Sequence, residues 1–501
     1  MDQKEYERLT KACDFVLDKF SSNYAIMAIP WLHVLNGHPN SLYKYQHVFA
    51  KRSILSAAKV LLYNISYILY KLSGSFFEFR ISKIKDQPSR QTDILFISHF
   101  VNVKVQKNSP DFYYGELPAH LEKSKGIRTA IGMIDHTPKN KTGAERAKIE
   151  EDELWKFLFP KTLSFGKEIS LIIQCISSFY HLLKAYYSEK GFDKKAILRE
   201  AVFQSISPET FKELRIYKNV QFLIEHLKPA VLIITWEGWA WERLSIHAAK
   251  FGNPEIKCLG YQHTVLYASS HSVKKSLGQL YDPDMIFTIG NVTAGILRSA
   301  NEFTHTSIIS YGSQRLVKRP KEQINKIRTI NCLVAPEGIE SECLLLFTFA
   351  IESAKKMPDV NFIFRTHPVL PFTMLSEKNT SLASLPSNCV VSDLKDINAD
   401  FERCNFILYR GSSVALYAVL NGLRPVYYSL PAELSIDPLY LLDNWRLTVK
   451  DTEDFEKVIQ ADTVLQDAEK QKQYSSARSF CKDYVSVPDE AVLYDFIPSK
   501  N

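Results

Sequence analysis

Two stretches in the last third of the chain end apolar runs on polar residues, and this pattern restricts the fold more than any other feature. They are Asn361-Phe-Ile-Phe-Arg-Thr-His-Pro368 and Asn405-Phe-Ile-Leu-Tyr-Arg-Gly-Ser-Ser-Val-Ala-Leu-Tyr-Ala-Val-Leu-Asn-Gly422. A short run that is apolar throughout reads as a strand buried on both faces, as in a parallel sheet covered by helices. The first run stops at Arg365 and His367, before the helix-breaking Pro368. The second stops at Arg410, Gly411, Ser412 and Ser413, where a helical apolar pattern takes over. A Gly-Ser-Ser turn there presents backbone N–H groups, two hydroxyls and the positive end of a helix dipole. Both strand ends belong on the carboxyl edge of one sheet, where open α/β folds bind ligands. These groups suit a phosphate.

Upstream, strands and helices alternate. Strands are expected at Asp93–Ser98, Thr129–Ile134, Val231–Thr235, Ile256–Tyr261, Met285–Ile289 and Thr306–Tyr311, with a mostly helical stretch from Thr142 to Leu227. A polar segment, Lys318-Arg-Pro-Lys-Glu-Gln323, reads as an inter-domain connection, and a second α/β series begins at Thr329–Val334 and includes Pro425–Tyr428. Two sequential α/β halves joined near residue 318 imply an α/β protein of two Rossmann-like domains facing across a cleft. The expected division is a helical basic extension over 1–90, a first domain over 91–317 and a second over 318–501.

The 501 residues, 46% hydrophobic and 12% aromatic, exclude a disordered chain and suffice for two or three cores. Eight widely spaced cysteines, without a C-x-x-C pair, point to reduced, buried thiols. The N-terminus lacks the basic and apolar parts of a secretory signal, so a cytoplasmic protein is expected. Between Leu42 and Arg90 nine basic residues stand against Glu78 and Asp86, a difference equal to the chain's whole net charge of +7. Ser53–Phe77 is apolar but interrupted by Lys59 and Lys71, which argues against a spanning helix. The segment is either a basic-faced helix packed on the core or a surface that docks on anionic lipid at the inner face of the membrane. So modest an excess, with no aromatic-basic interleaving, disfavours nucleic acid as a partner.

Two Rossmann-like halves with the nucleotide on the second resemble the GT-B glycosyltransferases. Within them the chain looks most like bacterial transferases that use CMP-activated ulosonic sugars, sialic acid and its relatives or Kdo. Their His-Pro and Ser-Ser motifs match His367-Pro368 and Ser412-Ser413, in order and on the right strand ends. Their acidic-acidic-Gly motif is matched in part by Trp236-Glu237-Gly238, with Trp in place of one acidic residue. The run Thr235–His263 and the Pro336-Glu337-Gly338 turn are similar to surface-carbohydrate biosynthesis proteins, and the likeness spans about residues 230–430. It implies transfer of a ulosonic sugar from a CMP donor to a glycan or lipid-linked acceptor.

The resemblance implies roles for particular residues. CMP leaves as a phosphomonoester dianion, so charge on one phosphate must be stabilised. His367, Ser412 and Ser413 supply donors; Arg365 or Arg410 would take a phosphate oxygen or the sugar carboxylate, or else form a structural ion pair. No Asp-x-Asp or comparable acidic cluster adjoins these strands, so neither a metal nor another cofactor is expected. Glu237, between a strand and the helix Trp239–Lys250, is the expected general base, with Trp236, Trp239 and Trp241 excluding water and raising its pKa. Glu242, over a turn further on, is the more structural carboxylate. His263 would bind the sugar carboxylate or assist proton transfer, and Glu337 with Gly338 would meet ribose or base. The Glu that many GT-B enzymes place after the phosphate turn to bind ribose is Tyr417 here. A UDP-sugar epimerase of the same fold, a CDP-polyol phosphotransferase of the teichoic-acid type and a non-catalytic assembly scaffold are the alternatives.

Overall fold

The computed structural model describes residues 1–50, 54–78, 91–100, 111–137, 154–314, 321–322, 324, 327, 329–368 and 370–497. Seven strands form one sheet in the order β3-β2-β1-β4-β5-β6-β7. They are β1 (Ile94–Phe100), β2 (Thr129–Asp135), β3 (Trp155–Leu158), β4 (Val231–Thr235), β5 (Lys257–Gln262), β6 (Met285–Thr288) and β7 (Ser307–Ser310). Six more form a second sheet in the order β10-β9-β8-β11-β12-β13. These are β8 (Ile330–Val334), β9 (Val360–Phe364), β10 (Cys389–Val391), β11 (Phe406–Tyr409), β12 (Arg424–Tyr428) and β13 (Leu447–Val449). Every pairing is parallel. This is the α/β architecture of two facing Rossmann-like domains with helices at the N-terminus.

The apolar runs explain the sheets. In β1, Leu95 and Ile97 enter one core, while Ile94 and Phe96 enter another. In β11, Ile407 and Tyr409 share that second core, and Phe406 and Leu408 pack into a third. Side chains alternate across a strand, so each sheet is buried on both faces. The second core holds residues of both sheets, so the two domains share apolar packing rather than a bare hinge.

Three strands went unread in the sequence: β3, β10 and β13, three or four residues long and all at sheet edges. An edge strand needs only one partner and half a buried surface, so its apolar run is short. The connection expected at 318–323 lies outside the described residues except for 321 and 322, as do 142–153 of the expected helical stretch. The same holds for Lys51, Arg52, Arg80, Lys83, Lys85 and Arg90 of the basic segment.

The chain's two ends tie the domains together. Leu9, Cys13 and Val16 of the first helix, Gln3–Lys19, lie in the core of the first domain. After the helix Asp467–Tyr484 the chain returns to the first sheet: Ser486 N–H donates to Ile289 O (2.9 Å) and Asp489 N–H to Tyr311 O (2.8 Å). A last helix, Glu490–Phe496, brings Phe496 to 6.4 Å from Phe287. All eight cysteines are buried thiols, none joined in a disulfide. No helix among the described residues is long and apolar enough to cross a membrane.

Candidate active site

β4 delivers Glu237. The strand ends at Thr235, and the turn Trp236-Glu237-Gly238 leads into the helix Ala240–Gly252. Gly238 has φ +81°, and a Cβ there would strike the backbone of Ser272, so glycine alone makes this turn. Fully buried Glu242 organises it, accepting from the N–H groups of Glu237 (2.8 Å) and Trp239 (2.9 Å) and from the Thr235 hydroxyl (2.9 Å). Burial, then the nearby Glu237, push the Glu242 carboxyl up to about 8, against the pull of those three donors. The Glu237 carboxylate, half-buried, accepts from the Trp239 indole N–H (2.8 Å) and the Thr264 hydroxyl (2.9 Å). Trp239 therefore meets Glu237 with its polar edge. Trp236 lies in the core with the Arg243 guanidinium 4.9 Å from its ring centre.

The sheet order β2-β1-β4-β5 sets three histidines beside Glu237 on the same carboxyl edge. His263 follows β5, its ring edge-on to Tyr113 at 4.7 Å. His99, the last residue but one of β1, shares a 2.7 Å hydrogen bond from its Nδ1 with Nε2 of His136, which follows β2. Burial, then the neighbouring His136, hold the His99 imidazole down at about 3. Burial, then Lys212, hold His136 at about 4. Both rings are thus neutral near pH 7, one nitrogen donating and the other accepting. Sequence reading missed both because it ended the strands at Ser98 and Ile134. The signal was present: each is a polar residue closing a buried apolar run, the rule that selected His367.

The order β9-β8-β11 gathers the second domain's candidates in the same way. His367, past β9, lies over Gly338, where a Cβ would come to 2.8 Å from its Nδ1. Gly411, past β11, lies under the Glu337 carboxylate, where a Cβ would come to 2.6 Å from Oε1. Glu337, Gly338, His367 and Gly411 thus form one group. Burial lowers the His367 pKa, and Glu337 partly restores it. Ser412 is buried and Ser413 exposed at the start of the helix Val414–Leu420. Pro368 follows His367 in the turn that closes this edge.

The two arginines take the ion-pair alternative. Arg410, 2% exposed, gives Nε–H to Glu342 (2.6 Å) and an NH2 hydrogen to Glu433 (2.6 Å). Arg365 donates to Asp400 (2.8 Å) and to the carbonyl oxygens of Leu394 and Lys395. A guanidinium in a protein interior requires such partners, so these donors are spent on the fold rather than turned toward a phosphate. An unforeseen residue, His38, reaches in from the N-terminal segment. Its Nδ1 accepts from Asn40 N–H (3.1 Å), which leaves the proton on Nε2, 3.0 Å from Glu337 Oε1. Nothing before Asp93 marked it in sequence, since the contact spans 299 positions. His38, Glu337 and Glu342 offer ligand atoms within 4.8 Å of one another. Arg410 already serves as the counter-cation of Glu342, and a metal would have to share that place.

Tyr267 shows how the edges meet. Its buried hydroxyl donates to Gly411 O (2.9 Å), bridging the first domain to the second. Burial raises its pKa well above the ordinary phenol value, followed by the charges of Glu337, Tyr484 and Glu237. Both carboxylates therefore lie in electrostatic reach of one hydroxyl, and the two carboxyl edges face each other. A cavity of about 660 Å³ between the helix Asn291–Ser299 and Tyr440, Leu441 and Phe480 contains none of these residues.

No family model and no curated protein matches the chain. Among solved structures it is similar to the glycosyltransferase SnogD from Streptomyces nogalater (13% identity, 82% of this chain and 100% of that one, TM-score 0.43). It is similar also to CalG4, the calicheamicin glycosyltransferase (9%, 81% and 98%, TM-score 0.45). A third is the UDP-GlcNAc 2-epimerase from Neisseria meningitidis bound to UDP-GlcNAc (11%, 81% and 98%, TM-score 0.44).

Proposed function

We propose that the chain is a glycosyltransferase that moves a ulosonic-acid sugar, sialic-acid-like or Kdo, from a CMP donor to a glycan or lipid-linked glycan acceptor. The reaction needs no metal or other cofactor in this reading. It runs in the cytoplasm, at the inner face of the membrane. The observation that carries it is the placement of Glu237 and Glu337 around Tyr267 on opposite carboxyl edges. Glu237 takes the proton of the acceptor hydroxyl as that oxygen bonds to the anomeric carbon. The bond from that carbon to the CMP phosphate breaks, its electron pair passes to the phosphate oxygen, and His367, Ser412 and Ser413 donate to the growing charge. His263 stands beside Glu237 to receive the sugar carboxylate.

A thermal shift with a nucleotide panel tests this reading. CMP at about 100 times its dissociation constant should stabilise the fold by roughly 2.7 kcal/mol, and UDP and GDP should not. Equal stabilisation by UDP would sink the CMP assignment. The second reading, a UDP-sugar epimerase, draws on the histidine row His99, His136 and His263 beside Glu237. Stabilisation by UDP together with conversion of a UDP-sugar in the absence of acceptor would select it.

A further inference from the structure

The helix Ile54–Glu78 packs Leu61, Tyr67 and Ile68 against the core yet leaves a second apolar face in solvent. It buries Asn64, Lys71 and Ser75, giving the Asn64 amide to Phe203 O (3.2 Å) and the Lys71 ammonium to Lys161 O (3.2 Å). It exposes Leu55, Leu62, Tyr63, Ile65, Leu69 and Tyr70, with Leu62 at 67% and Leu69 at 62%. The adjoining helix Phe165–Ser188, which packs against it, exposes Ile173 (62%), Ile176, Tyr180 (64%) and Tyr187 at helical spacing. Exposed apolar residues clustered on two packed helices mark an interaction surface.

Charge selects the occupant. Among the described side chains of these two helices the exposed charged groups are Lys59, Lys167 and Lys184, all basic. The acidic Glu168 is buried and held bidentately by Arg215 at 2.8 and 2.9 Å. The chain's whole positive excess also lies in the segment, Leu42–Arg90, that contains the first helix. Self-pairing of this face in a symmetric dimer would set lysine against lysine. Lys167 is turned to the Phe222 ring, 5.5 Å away, but Lys59 and Lys184 stand beside the aliphatic and aromatic residues, a composition that matches an anionic bilayer surface. We infer that the face formed by Ile54–Glu78 and Phe165–Ser188 lies in the headgroup region of an anionic membrane, inserting its leucines, isoleucines and tyrosines while its lysines meet lipid phosphate. On its inward side the helix lines a pocket of about 270 Å³ with Tyr67 and Lys71, which reaches Asp135 at the end of β2.

Co-sedimentation with vesicles tests this, and because it requires no donor it succeeds or fails apart from the glycosyl-transfer reading. The protein should pellet with vesicles of phosphatidylcholine and phosphatidylglycerol, much less with phosphatidylcholine alone, and should be weakened but not released by high salt. The pairs Leu62→Glu with Leu69→Glu, and Ile173→Glu with Ile176→Glu, should each lower partitioning by about tenfold or more at unchanged melting temperature, since these side chains touch no core. Four results would overturn the inference: no pelleting with anionic vesicles at low salt, equal binding to neutral ones, complete release by salt, or a lipid-free dimer that the same substitutions dissociate.

Discussion

Glu237, His99 and His136 on the carboxyl edge of the first sheet are held by neutral partners, whereas Arg410 and Arg365 on the second are held by carboxylates. Glu237 rests on an indole N–H and a hydroxyl, and His99 and His136 hold each other uncharged. Across the join, Arg410 is clamped between Glu342 and Glu433, and Arg365 is bound to Asp400. A group with neutral partners can gain or lose a proton without breaking an ion pair. A group in a buried ion pair cannot, because the partner is left as an uncompensated charge. In the proposed transfer the contrast suits the first edge to proton transfer and the second to rigid support of a ligand.

The largest test of that contrast is Glu237→Gln, which keeps shape and removes basicity. Turnover should fall about 10² to 10⁴-fold, the range for a positioned acid–base group, with CMP affinity unchanged. Glu242→Gln should alter stability more than rate. A loss of nucleotide binding in Glu237→Gln would erase the division between the edges, and near-normal turnover would pass the base role to His263.

Next in size is Arg410→Met, which should cost about 3 to 5 kcal/mol in urea unfolding, the usual penalty for stranding a buried charge, here that of Glu342. A cost below about 1 kcal/mol would show that Arg410 is available to a ligand after all.

The smallest effect is on pH dependence. His99 and His136 sit at about 3 and about 4, below the ordinary imidazole value of 6.5. As pH falls, the unfolded chain takes up their protons first. Stability is therefore full above about 6.5 and declines from there toward 4. Replacing both by Gln should flatten the melting temperature across that window, and an unchanged slope would mean that the pair is not held neutral.

The sheets were legible wherever a strand is central. Val231–Thr235 and Phe406–Tyr409 read as strands because both faces are apolar, and their polar ends pointed to Glu237 and to the Gly411–Ser413 turn. The arginines were ambiguous because a strand-end cation bound for a phosphate and one bound for a carboxylate look alike in one dimension. Glu342, Glu433 and Asp400, their partners in the structure, lie 68, 23 and 35 positions away. His38 was illegible for the same reason over a longer span.

By itself the amino-acid sequence determined the two parallel sheets and the edge on which their polar residues cluster, because strand burial and strand termination are local properties of apolar runs. Tertiary structure alone decided which polar residues are free to act. It paired Arg410 and Arg365 with carboxylates, brought His38 to Glu337, and buried Asn64, Lys71 and Ser75 of Ile54–Glu78. An ion pair or a buried face depends on what the rest of the chain places opposite it, and no local pattern carries that.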